Sequence, residues 1–243
     1  MDAARIPVFL LTGFLGSGKT TLLNRILSEP HGARIAVIEN EFGAAGIDHE
    51  LLVRETREQI VEMNNGCICC TVRGDLIRIL GDLAAQRSAG TLAFDRVFIE
   101  TTGLADPAPV AQTFFLDEAV LRHYLLDAVL TVVDAVHGAM QLDAHHEAQE
   151  QVGFADRILI SKGDLAGEDA SMQLAARLRA LNPRAAIGRA HFGETDIGAL
   201  LDVRGFHLDD ILRIEPDFLQ DTPHEHDAGI ASFVFRSRRP FRR

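Results

Sequence analysis

An α/β fold, with a mostly parallel central sheet covered by helices on both faces, is predicted for this chain by three observations. First, GFLGSGKT at residues 13–20 is a complete GxxxxGK[ST] phosphate loop. Second, that loop lies between an apolar run at 6–11, read as a buried strand, and a segment in which Leu22, Leu23, Ile26 and Leu27 recur at helical spacing. Third, apolar runs recur at 35–38, 96–99, 127–134 and 157–160, and the nearly unbroken one at 127–134 is what a strand buried on both faces looks like. Together these define the fold class of a phosphate-loop NTPase.

The loop itself carries the chemistry. Gly13, Gly16 and Gly18 let the backbone turn its N–H groups around phosphate oxygens, and the start of the next helix adds its positive end. Lys19 is expected to reach the outer phosphates and the Thr20 hydroxyl to ligate Mg²⁺, with Ser17 and Thr21 completing the nucleotide-binding set.

Composition narrows the class. With 243 residues, 47% hydrophobic and 24% charged, the chain can bury one sizeable core with room for an appendage. A formal net charge of −11 argues against a sequence-independent nucleic-acid surface. No apolar run approaches the roughly 20 residues that span a bilayer, and residues 1–5 show no signal-peptide pattern. All three cysteines fall in Cys67-Ile68-Cys69-Cys70, a clustering that argues for metal or redox chemistry in a reducing cytoplasm.

Along the chain, the strand at 35–38 ends in Glu39, and residues 42–48 read as a loop able to sense a γ-phosphate, with Glu39, Glu41 and Asp48 close by. Residues 59–63 read as a strand that turns into the cysteine cluster. In an extended segment Cys67 and Cys69 point one way and Cys70 the other, so three thiolates meet one ion only if the backbone bends there. A fourth ligand must come from elsewhere, and such a set suits Zn²⁺ or another soft ion. A helix from 73 to about 86 presents Leu76, Ile79, Leu80 and Leu83 on one face. The strand at 96–99 ends in Glu100-Thr101-Thr102-Gly103. An acid there suits the Mg²⁺ shell, and the Gly103 N–H can face the γ-phosphate. Because open α/β sheets bind ligands beyond the carboxyl ends of their strands, Glu39, Glu100 and the phosphate loop should share one rim.

After the strand at 127–134, a polar helix is expected from about 137 to 151, with His145 and His146 on a solvated surface. The strand at 157–160 leads to Ser161-Lys162-Gly163-Asp164, which looks like the [NT]KxD guanine-reading motif with Ser in first place. A carboxylate at Asp164 can accept hydrogen bonds from guanine N1–H and N2–H₂, while the Lys162 stem lies along the base. A helix over 169–181 and a strand at 185–188 follow, with residues 191–193 near the base. Periodicity fades beyond Asp202. The expected domains are therefore a GTPase domain over 1–202, a linker over 203–229 that includes His224 and His226, and one strand from 230.

These motifs resemble the CobW-like GTPases, relatives of the UreG and HypB nickel-insertion GTPases. The resemblance rests on GFLGSGKTTLLN at 13–24, IENEFG at 38–43, NNGCICC at 64–70, ETTGLADP at 100–107 and SKGDL at 161–165. It implies GTP hydrolysis coupled to delivery of Zn²⁺ or Co²⁺ to a client metalloprotein or a cofactor-biosynthesis enzyme. Cys67, Cys69 and Cys70 would be the metal thiolates and Glu39 a nearby carboxylate ligand. Lys19, Thr20 and Glu100 would serve phosphate and Mg²⁺, and Lys162 and Asp164 would serve guanine. A nucleotide-dependent homodimer is compatible with it. Members often carry a further Glu in the loop after EFG, where this chain has Ala44. Members also continue into a second α/β domain, of which the residues from 230 would be only the truncated start. Two other readings fit the phosphate loop: a small-molecule kinase, and a metal-storage or sensor protein with a structural nucleotide.

Overall fold

The computed structural model describes residues 5–39, 59–62, 71–190, 192, 195–203, 205–214 and 216–220. Among the described residues seven strands form one sheet: β1 (Ile6–Thr12), β2 (Ile35–Glu39), β3 (Gln59–Glu62), β4 (Arg96–Glu100), β5 (Tyr124–Asp134), β6 (Arg157–Ser161) and β7 (Ala186–Ala190). Their spatial order is β3-β2-β4-β1-β5-β6-β7, and every described pairing is parallel. The helices are α1 (Lys19–Ser28), α2 (Thr71–Ser88), α3 (Ala108–Leu116), α4 (Glu118–His123), α5 (Gly138–Ala144), α6 (His146–Gly153), α7 (Gly163–Ala166), α8 (Glu168–Leu181), α9 (Ile197–Leu201) and α10 (Leu208–Ile214).

The period-2 alternation of a strand explains why β1 is apolar throughout. Ile6, Val8 and Leu10 join a core with Leu76, Ile79, Leu80 and Leu83 of α2, the face expected from the sequence. Phe9 and Leu11 point the other way, into a core with Leu22, Leu23, Ile26 and Leu27 of α1. Phe9 pairs in register with Phe98, and their rings stack 4.9 Å apart at 12°. A third core holds α5, α6 and α8 against β5 and β6 through Val133, Leu142, Val152, Ile158, Ile160, Leu174 and Leu178.

The structure departs from the sequence expectations in three places. β5 begins at Tyr124, three residues before the expected start. The single polar helix over 137–151 is two helices, broken where His145 adopts extended backbone (φ −132°, ψ 123°). Residues after 202 do not simply trail away as a linker. α10 and the turn at 216–219 follow, and Phe206, Leu208, Ile211, Leu212 and Phe218 pack into the same core as α2 and α3. Among the described residues no helix is long and apolar enough to cross a membrane.

Candidate functional site

The phosphate loop needs its glycines for stated reasons. Gly13 has φ 140°, and a Cβ there would lie 2.2 Å from the Val132 carbonyl oxygen of β5. Gly16 and Gly18 also have positive φ, 72° and 102°, the latter immediately before α1. Ser17 is fully buried; its N–H donates to the Phe14 carbonyl at 3.1 Å, while its Oγ has no hydrogen-bond partner among the described residues. The buried Lys19 ammonium donates to the carbonyls of Gly13 (2.8 Å) and Phe14 (3.3 Å). An ammonium held at the mouth of a loop of inward amides is an anion-binding arrangement.

The carboxyl ends of the strands bring acids to this loop. Glu39 and Glu100 face each other in register at the ends of β2 and β4, and Glu100 also pairs with Leu11 of β1. The Thr20 hydroxyl donates to Glu100 Oε1 at 3.0 Å. A hydroxyl and a carboxylate side by side are the hard oxygen donors that Mg²⁺ takes, so this pair fits the ion that phosphate-loop chemistry uses. The loop after β4 is tied down closely. Thr101 Oγ1 donates to Thr12 Oγ1 at 3.0 Å, and Asp106 Oδ1 accepts from the Ala108 N–H at 2.8 Å at the entry to α3. Gly103 presses on the phosphate loop, where a Cβ would meet Leu15 N at 2.5 Å and Leu15 Cα at 2.7 Å.

On the other flank, β6 delivers the SKGD segment. Ser161 Oγ donates to the Ser17 carbonyl at 2.5 Å, so the departure from [NT] keeps a bond to the phosphate loop. Lys162 has φ 55°, a left-handed backbone that non-glycine residues seldom adopt and that clusters at functional sites. Its ammonium donates to the Gly16 carbonyl (2.7 Å) and to Asp134 Oδ2 (2.8 Å). Asp134, at the end of β5 and 1% exposed, also accepts from His137 Nδ1 (3.0 Å) and the Val136 N–H (2.7 Å). Burial alone would raise this carboxyl. The bonds from Lys162, His137 and Val136 outweigh it and hold the group below the ordinary carboxylate range. Asp164 lies exposed in the first turn of α7.

The rim therefore gathers Gly13, Gly16, Ser17, Gly18, Lys19, Thr20, Glu39, Glu100, Gly103 and Lys162. Thr21 is exposed on α1. Cys67, Cys69 and Cys70, with Glu41, Asp48, Ala44, His191, Gly193, His224 and His226, lie outside the described residues. Among the described residues no group of three or more His, Cys, Asp or Glu side chains could hold a metal ion. The solvated pair expected at 145–146 is half right. His146 is exposed, but His145 stacks on Phe14 of the phosphate loop, with centroids 4.6 Å apart. The sequence reading also missed Asp134 and Gln151. Asp134 sits at a strand end, where the rule that found Glu39 and Glu100 applies equally. Gln151, in a polar helix, carries no such mark.

A seven-stranded parallel sheet, a glycine-rich loop opening α1, and a Thr–acid pair beside it define a phosphate-loop nucleotide-binding protein. The domain family described as CobW/HypB/UreG, nucleotide-binding domain, matches residues 7–189, and the chain belongs to it. Among its relatives, the zinc chaperone YjiA of Escherichia coli is 47% identical over 214 residues, covering 88% of this chain and 66% of YjiA. The zinc-regulated GTPase metalloprotein activator 1 of Dictyostelium discoideum is 32% identical over 278 residues, covering 98% of this chain and 57% of that protein. The crystal structure of Zn(II)-bound YjiA GTPase from E. coli superposes with a TM-score of 0.68 at 41% identity, covering 92% of this chain and 68% of that one. The chain thus spans between 52% and 66% of the length of the first three curated relatives it matches.

Proposed function

We propose that this chain is the nucleotide-binding part of a GTPase that carries a metal ion, Zn(II) or Co(II), to a client protein or cofactor pathway. The observation that carries the GTPase half is the Lys162 side chain laid across Gly16, with Ser161 bonded to Ser17. This arrangement ties the SKGD segment to the phosphate loop and leaves Asp164 exposed to read a base. Adenine lacks the N1–H and N2–H₂ donors that a carboxylate at Asp164 would accept. The relatives named zinc chaperone and zinc-regulated GTPase support the metal half. The cargo ligands would be Cys67, Cys69 and Cys70 with Glu39, which stands one strand away from Glu100 on the rim.

In this reading Lys19 leaves the Gly13 and Phe14 carbonyls for the outer phosphates. Thr20 and Glu100 hold Mg²⁺, which when bound neutralises phosphate charge. The Gly103 N–H would face the γ-phosphate, and that contact would hold the turn after β4 against the phosphate loop when a triphosphate is bound. Nucleotide state and metal affinity are then reciprocally coupled.

The test is a Co²⁺ and Zn²⁺ titration of the reduced protein with Mg²⁺ and a non-hydrolysable GTP analogue, repeated with GDP. The control is the triple variant C67S, C69S, C70S. Thiolate-to-cobalt bands that strengthen with the triphosphate and vanish in the variant are expected. Bands indifferent to nucleotide would overturn the coupling, and preferential ATP binding would overturn the guanine assignment.

A further inference from the structure

Gln151 is a polar side chain without a role in the site as described, and it is 1% exposed. From α6 it reaches residues far away in sequence. Its Nε2 donates to the Gly103 carbonyl at 3.2 Å and to the Ala105 carbonyl at 3.0 Å. Its main-chain carbonyl accepts from Thr131 Oγ1 of β5 at 2.7 Å. A primary amide has two N–H donors, and here both are spent on the single loop that follows β4. The same loop also lies against Leu15, where even a methyl at Gly103 would collide with backbone. The loop is thus gripped between α6 and the phosphate loop. α6 touches the phosphate loop as well, because His145 at its start stacks on Phe14. One short helix therefore registers both nucleotide-facing loops against each other.

We propose that Gln151 is a positioning residue that latches the Gly103–Ala105 turn over the phosphate loop and so sets the preference for a nucleoside triphosphate over a diphosphate. The proposal rests on the GTPase reading above and deepens it. A diphosphate is held by the loop amides and Lys19, none of which Gln151 touches. A γ-phosphate must also be met by the turn after β4, and an unlatched turn has to be ordered at the moment of binding. Freezing even one or two backbone residues costs enough to weaken binding about tenfold. Without the amide donors, that ordering cost falls on the triphosphate alone.

The experiment compares binding of GDP and of a non-hydrolysable GTP analogue, both with Mg²⁺, to wild type, Gln151→Met, Gln151→Glu and Thr131→Val. Methionine keeps the volume without donors and is the variant that reads the latch, provided it folds by circular dichroism. Glutamate keeps the shape and replaces the two amide N–H donors by a carboxyl that can offer at most one O–H to the two carbonyls, so it weakens the latch without changing the side chain's size. The expected result is an analogue affinity about tenfold weaker in either Gln151 variant, with GDP affinity within about twofold of wild type. Thr131→Val, which removes only the bond to the Gln151 main chain, should lower the melting temperature and leave the analogue-to-GDP ratio in place. An unchanged ratio in the Gln151 variants, or an equal shift in Thr131→Val, overturns the latch. Wild-type protein that binds no guanine nucleotide overturns the reading beneath it, and the latch falls with it.

Discussion

At the scale of single residues, the nucleotide rim shows which side chains announce themselves and which do not. The places of Glu39, Glu100 and Lys162 at the ends of strands were legible because each comes just after a short apolar run that reads as a strand, and strand ends are where an α/β sheet binds its ligand. Gln151 was not legible, because a glutamine among Glu, His and Gln looks solvated until the helix is seen to face β5 and the loop after β4. Gly103 falls between these cases. Its motif gave the expectation of a γ-phosphate contact, and only the structure shows backbone contact with Leu15. That contact predicts the outcome of Gly103→Ala. The nearest atoms are main chain, so nothing flexible can give way and the two loops must part. The variant should lose about 1–3 kcal/mol of stability, measured by urea denaturation, and most of its affinity for a GTP analogue while GDP binding persists. A variant with wild-type stability would mean that the two loops separate freely.

At the scale of elements, the period of hydrophobic residues located α1, α2 and α8 well but joined α5 and α6. The reason is physical. A helix continuing through Leu142 would place His145 and His146 on the buried stripe, three and four residues on. Extending the backbone at His145 turns that ring onto Phe14 and restarts α6 with Ala148 and Val152 inward. Neither Gly nor Pro marks the break, so no local rule finds it. The junction of β5 and β6 with the segment after α9 carries a second element-scale consequence. Asp156, just before β6, accepts from the Val129 N–H at 2.7 Å, and Gly205 lies against it while Gly205 and Phe206 donate to the Asp127 carbonyl. Burial pushes the Asp156 carboxyl from 3.8 up to about 6, despite the Val129 bond and the nearby Arg184 and His207. Between those values the folded chain binds a proton that the unfolded chain does not. Stability contributed by this group therefore falls as pH rises from about 4 to about 6, by on the order of 3 kcal/mol. Asp156→Asn keeps an acceptor for Val129 and cannot ionise. It should be more stable than wild type at pH 7.5 and lose that advantage near pH 4, by chemical denaturation at both. Parallel stability profiles for the two proteins would refute the assignment.

At the scale of the whole molecule, the class of fold was legible from the phosphate loop and the spacing of apolar runs, whereas the extent of the folded unit was not. Periodicity fades near Asp202 because the only regular piece that follows among the described residues is α10, whose Leu208, Ile211 and Leu212 keep helical spacing for less than two turns, and the rest of the segment buries itself by aromatic contacts of Phe206 and Phe218 outside that helix. Phe206 stacks on Phe115 at 5.4 Å, and Phe218, fully buried, meets Phe115 at 6.1 Å and Phe154 at 5.7 Å. Phe115 lies in the last turn of α3 and Phe154 follows α6, so this cluster ties the residues after α9 to both helices. Its removal should therefore be felt as loss of the domain and not as the undocking of a tail. Phe218→Ala deletes a ring with no solvent exposure and should cost about 3–5 kcal/mol. Because cooperative domains melt as one unit, the variant should show a single transition at lower denaturant concentration, and a chain ending at residue 202 should unfold still more easily. A loss under about 1 kcal/mol, or a separate early transition for 205–220 in hydrogen exchange with the sheet unaffected, would show that the segment rests on the domain without helping to hold it together.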